Sequence, residues 1–154
     1  MNIVLFNPLI PQNTGSIGRL CVCTNTRLHL IEPLGFELDE KRIKKAGMDY
    51  WPHLQLTVHA SWEKFLESEN PQSLLFATTK SERTYFSHKF QGDDYIVFGN
   101  ESHGLPPDFY QTYKEQLFTI PMDGRYARSH NLANSASIIL YEGLRQLEHN
   151  DALS

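Results

Sequence analysis

Three stretches of this sequence gather glycines and short polar side chains where an apolar run ends. In Phe98-Gly99-Asn100-Glu101-Ser102-His103-Gly104-Leu105-Pro106, glycines flank a polar turn. Gly99 permits close backbone approach, Glu101 offers a carboxylate, and Pro106 can open a helix. The run from Ile120 to Ser135 places Ser129 and Asn131 ahead of a long helical pattern, where free backbone N–H groups also collect. Those two side chains suit a polar ligand, or one of them caps the helix. Between Asn7 and Arg19, Asn13 reads as a helix cap, Gly15 as a close-packed first turn and Arg19 as a guanidinium one to two turns further on. Arg19 suits a phosphate if it faces a strand end, and is otherwise solvated.

Chemistry spread over such distant segments needs a scaffold that gathers strand ends. Short apolar runs at 3–6, 28–31, 54–58, 74–77, 95–98 and 117–120 alternate with helical patterns. The helices are expected from Asn13 to about Asn25, over a short basic stretch from Glu40 to Ala46 capped by Asp39, from Ser61 to Leu66, and from Asn131 to Leu147. Strands apolar on both faces argue an α/β fold, a mostly parallel sheet flanked by helices, forming one domain over residues 1–154. The binding crevice of such a sheet lies beyond the carboxyl ends of its strands, so Ala77-Thr78 joins the loops after Phe98 and Ile120 as a candidate wall.

Composition removes other classes. The 14 Lys+Arg against 18 Asp+Glu leave a formal charge of -4, which excludes gripping nucleic acid by bulk charge alone. Lys41, Arg42, Lys44 and Lys45 still form a local basic stripe, either a solvated face or an RNA-backbone contact. No apolar run approaches the roughly 18 residues of a membrane span. Residues Met1 to Phe6 read as a core strand rather than a signal peptide, and Cys21 and Cys23 point to different helix faces; a reducing cytosol is expected. The seven histidines lack metal-like spacing, so no zinc is expected. Pro8 and Pro11 stand where a dinucleotide fingerprint needs glycines, which disfavours a dehydrogenase, and neither a Walker loop nor a Gly-x-Ser-x-Gly elbow is present.

Taken together, Asn13-x-Gly15-x-x-x-Arg19, Phe98-Gly99-x-Glu101-x-x-Gly104-Leu105-Pro106, and Ile120-Pro121-Met122 followed by Ser129-x-Asn131-Leu132 resemble the three motifs of the SPOUT 2′-O-ribose RNA methyltransferases. Ile31-Glu32-Pro33-Leu34-Gly35-Phe36 and Asp39-x-Lys41-Arg42-x-x-Lys45-Ala46-Gly47-x-Asp49-Tyr50 narrow the resemblance to the TrmL-type subfamily, which methylates cytidine or uridine at tRNA position 34. The similarity spans residues 2–147. His130 and Ala133 depart from the third motif, and Asn100 and His103 vary the second.

The resemblance implies S-adenosyl-L-methionine as methyl donor, a trefoil knot in the carboxyl-terminal half, a cytoplasmic homodimer without metal, and tRNA as substrate, with leucine isoacceptors expected. It places cofactor contacts at Ala77, Thr78, Gly99, Glu101, Ile120 and Ser129. Arg19 falls on the catalytic arginine, supported by Asn13, Glu101, Ser129, Asn131 and Tyr141. With no separate RNA-binding domain, tRNA is expected on Lys41, Lys44, Lys45, Arg125 and Arg128. A nonenzymatic RNA- or nucleotide-binding module of the same fold is the alternative; the presence of Arg19, Glu101, Ser129 and Asn131 favours the enzyme. On the last helix, Ile138 to Tyr141 point apolar groups all round, so one side is expected to meet a second subunit.

Overall fold

The structure, a computed structural model, describes residues 1–39, 41 and 48–153. Six strands form one sheet in the order β3-β2-β1-β5-β4-β6, and every named pairing is parallel. They are β1 (Asn2–Phe6), β2 (Arg27–Ile31), β3 (Leu56–His59), β4 (Leu74–Ala77), β5 (Tyr95–Phe98) and β6 (Leu117–Phe118). Strand order reverses at β1, from which β2 and β3 extend to one side and β5, β4 and β6 to the other. The helices are α1 (Pro11–Cys23), α2 (Trp62–Glu69), α3 (Phe109–Thr112) and α4 (Leu132–Leu153). No helix among the described residues is long and apolar enough to cross a membrane.

Alternation along the strands divides the core in two. Ile3, Leu5, Leu28, Leu30, Ile96 and Phe98 face α1 and α4, where Ile17, Cys21, Ala136, Ile139 and Leu140 are buried. Val4, Ile31, Phe76, Tyr95 and Val97 face the aromatic layer of Trp62, Phe65 and Phe109 on α2 and α3. Burial pushes the Cys21 thiol up to about 12, so it serves as a small apolar filler beneath α1.

Several boundaries differ from the sequence expectation, each for a local reason. Helix α1 starts at Pro11, with Ile10 as its cap, because proline is preorganised for the first helical position. Asn13 is therefore inside the first turn, and its side chain is free for other work. Ser61 does cap α2, accepting from the Lys64 N–H at 3.1 Å, but the helix runs to Glu69 and ends on left-handed Asn70. Strand β6 is two residues long, because Thr119 turns away to pair with Thr84. The expected helix at Glu40 to Ala46 lies mostly outside the described residues; within them, Asp39 accepts from the Lys41 N–H at 2.9 Å, as a cap would.

Candidate active site

The ends of β4, β5 and β6 meet the start of α1 and the start of α4 around a cavity of about 700 Å3. All six residues expected to hold a cofactor line it: Ala77, Thr78, Gly99, Glu101, Ile120 and Ser129. The loop after β5 is folded against itself. Asn100 and Gly104 exchange backbone hydrogen bonds at 3.1 Å, and the Asn100 Oδ1 accepts from the Ser102 N–H at 3.0 Å and the His103 N–H at 2.6 Å. A Cβ at Gly99 would lie 2.1 Å from the Gly104 carbonyl carbon, so only glycine fits there. Gly104 closes the turn at a φ of +69°.

Glu101 does not offer a bare carboxylate to the crevice. Its Oε2 accepts from the Leu9 N–H at 2.8 Å, and its Oε1 from the Ile10 N–H at 3.0 Å and from Asn13 Nδ2 at 3.3 Å. The negative charge thus sits on the amino end of α1, where the helix dipole favours it. Asn13 continues the relay, because its Oδ1 accepts from Asn131 Nδ2 at 3.0 Å. Asn131 also caps α4 by accepting from the Ala133 and Asn134 N–H groups at 2.9 and 3.3 Å. Three distant motifs are joined in this way through Glu101, Asn13 and Asn131.

Other expected residues are placed differently. Arg19 is exposed on α1 and does not line the cavity of its own chain; its guanidinium lies 5.0 Å from the centre of the Tyr50 ring. Tyr141 is 55% exposed on α4, also outside the cavity. Arg128 reaches the cavity wall, whereas Arg125 is exposed beyond it. Lys41 lines a separate, shallow surface bowl of about 940 Å3 with Glu32, Glu37 and Asp39, and Lys44 and Lys45 lie outside the described residues. Among the described residues the bowl carries three carboxylates and one lysine.

Sequence reasoning missed Tyr110 and Thr119, which also line the wall. Tyr110 carries Lys80 over its ring at 4.9 Å and meets Thr78 Oγ1 at 3.4 Å. Only long-range packing brings α3 here, so no local pattern announces it. Also missed was a buried group outside the cavity, on β2 and β3. His29 Nδ1 and His59 Nε2 are 3.0 Å apart, with Glu69 held by Arg27 at 2.9 Å and by the Tyr95 hydroxyl at 3.0 Å. The ring centres are 5.3 Å apart and the planes 27° from parallel, so the nitrogens meet head-on and share one proton rather than converging on a third point.

The cavity at the strand ends is lined by both polar and apolar side chains. A protein from Escherichia coli (strain K12) named tRNA (cytidine(34)-2'-O)-methyltransferase is 45% identical over 154 residues, 99% of this chain and 98% of that one. A solved structure from work on 2-OH methylation of C/U34 on tRNA has a TM-score of 0.88 at 39% identity and covers 96% of both chains. The SpoU methyltransferase AviRb from Streptomyces viridochromogenes, solved with the cofactor AdoMet, shares the fold at a TM-score of 0.80 and 23% identity, over 95% of this chain and 57% of that one. The model of the SpoU rRNA methylase family matches residues 1–141, and with full-length relatives at this identity the chain belongs to that family.

Proposed function

We propose that the protein is an S-adenosylmethionine-dependent tRNA methyltransferase that methylates the ribose 2′-oxygen of the wobble nucleotide, cytidine or uridine 34, in the cytoplasm. The observation that carries this is the cavity formed by all three motif loops in a chain 45% identical, end to end, to a named tRNA (cytidine(34)-2'-O)-methyltransferase. Leucine isoacceptors are the proposed substrates. Two features support the cofactor reading: glycine at position 99 lets the loop after β5 fold tightly onto Gly104 at the cavity edge, and Ile120, Leu105 and Leu132 supply apolar walls. S-adenosylmethionine supplies, when bound, an activated methyl group on sulfur. Backbone groups of Thr78, Gly99 and Ile120 would hold it, with Ser129 at the rim.

The chain's own contribution is electrostatic. A ribose hydroxyl is a poor nucleophile, and its oxygen gains reactivity as negative charge on it is stabilised. The Arg19 guanidinium clamps the neighbouring phosphate and stabilises that charge. Because Arg19 lies outside its own chain's cavity, this role requires a homodimer in which a second copy presents its Arg19 to the cavity. The open side of α4, with Tyr141 exposed, is the proposed contact surface. Arg128 and Arg125 would receive the RNA backbone.

The test is label transfer from methyl-labelled S-adenosylmethionine to tRNA. Wild type should transfer, and Arg19→Ala should lose turnover by about 100-fold or more while still binding S-adenosylhomocysteine. Near-normal transfer by that variant would remove Arg19 from the reaction.

A further inference from the structure

Arg19 stands one turn after Gly15 on α1, and the segment from Met48 to Leu54 lies across that face of the helix. Glycines admit it. A Cβ at Gly15 would rest 3.4 Å from Met48 Sδ and Cε, and one at Gly18 would press to 2.9 Å of Trp51 Cζ3. Between these contacts lies Tyr50. Its hydroxyl donates to the Gly15 carbonyl at 3.0 Å, and its ring meets the Arg19 guanidinium at 5.0 Å. The ring is thus anchored on one turn of α1 and touches a side chain from the next. Among the described residues Arg19 has no hydrogen bond or ion pair, and the Tyr50 ring is its cation-π partner.

An exposed arginine samples many rotamers, and ordering it at the moment of reaction is costly. An aromatic face under a guanidinium holds the plane of the cation and leaves its N–H donors free at the edges. Those edges are what a phosphate oxygen and a ribose oxygen need. We propose that Tyr50 is a positioning residue for Arg19: it sets the guanidinium before RNA arrives, so that the arginine acts preorganised. This rests on the catalytic assignment of Arg19 above. A displacement of about 1 Å in a positioned group can cost about 100-fold in rate, which sets the expected scale.

The experiment measures kcat and KM with tRNA for Tyr50→Phe, its ring-fluorinated phenylalanine analogues, and Tyr50→Leu, with Arg19→Ala alongside. Phenylalanine keeps the ring and should stay within a few-fold of wild type. Added fluorines weaken the negative ring face at nearly constant shape, so kcat should fall stepwise with fluorine number. Leucine should lower kcat by about 10- to 100-fold, with S-adenosylhomocysteine affinity and Tm little changed. A kcat flat across the fluorinated series would overturn the proposal, as would phenylalanine falling as far as leucine, which would assign the role to the hydroxyl anchor. Loss of Tm and cofactor affinity in step with kcat would also overturn it, because a purely structural role predicts that. Should Arg19→Ala turn over normally, the catalytic assignment fails first and the positioning role falls with it.

Discussion

Glu101 illustrates how a residue type can be legible while its task is not. The carboxylate was expected in the crevice, and it is there, yet its oxygens are taken by the Leu9 and Ile10 N–H groups and by Asn13. Sequence spacing shows that Glu101 follows a strand end; it does not show that α1 begins opposite it. The carboxylate buckles the second motif to the first. Glu101→Ala should therefore cost about 1–3 kcal/mol by orphaning those donors, whereas Glu101→Gln, which keeps one acceptor oxygen, should cost less. Urea unfolding midpoints check this ordering, and equal losses in the two variants would speak against the buckle. Gly99 was legible for the opposite reason: a glycine at a strand end limits the backbone directly, and the 2.1 Å separation of its would-be Cβ from Gly104 bears that out. The contact of Tyr50 with Arg19 was not legible, because packing between a turn and a distant helix leaves no periodic trace.

At the scale of elements, the strands were largely readable because apolar runs of four or five residues are buried on both faces of a parallel sheet. Boundaries failed where two signals competed. Pro11 and Asn13 both mark a helix start, and the proline prevailed, which released the Asn13 side chain to link Glu101 with Asn131. At α4 the alternatives were capping and ligand holding. Asn131 caps, and also binds Asn13. The two tasks are separable by substitution. Asn131→Asp retains the oxygen that caps α4 but sets a carboxylate oxygen against the Asn13 Oδ1 in place of the Nδ2 donor, so it should keep the cap and lose turnover. Asn131→Ala should lose both, with about 1 kcal/mol from the cap. Melting temperatures and turnover numbers of the pair decide it; an aspartate variant with wild-type turnover would show that the link to Asn13 is dispensable.

The whole molecule couples its stability to pH through the buried pair under β2 and β3. Burial pushes His29 down from 6.5 to about 4, with the Arg27 and His59 charges adding to the effect and Glu69 opposing it; burial lowers His59 as well. Burial would raise Glu69, but hydrogen bonds from Tyr95 and Arg27 and the nearby His29 outweigh it and hold it low. A depressed histidine leaves the unfolded chain binding the extra proton between about 6.5 and about 4. Stability is therefore complete above that window and declines as pH falls through it, by up to about 3 kcal/mol for His29. Urea titrations at pH 7.5 and 5 should show the loss, and His29→Gln should flatten it; an unchanged slope would place the linkage elsewhere. The same sheet carries the cavity at its strand ends, and there the central claim is that loops from β4, β5 and β6 and the start of α1 form a place for ribose methylation. Mapping the label in tRNA after incubation with methyl-labelled S-adenosylmethionine tests this most directly. The account predicts one alkali-resistant 2′-O-methyl linkage, at nucleotide 34, absent with Arg19→Ala; a methyl group on a base, or on a ribose outside the anticodon, would contradict it.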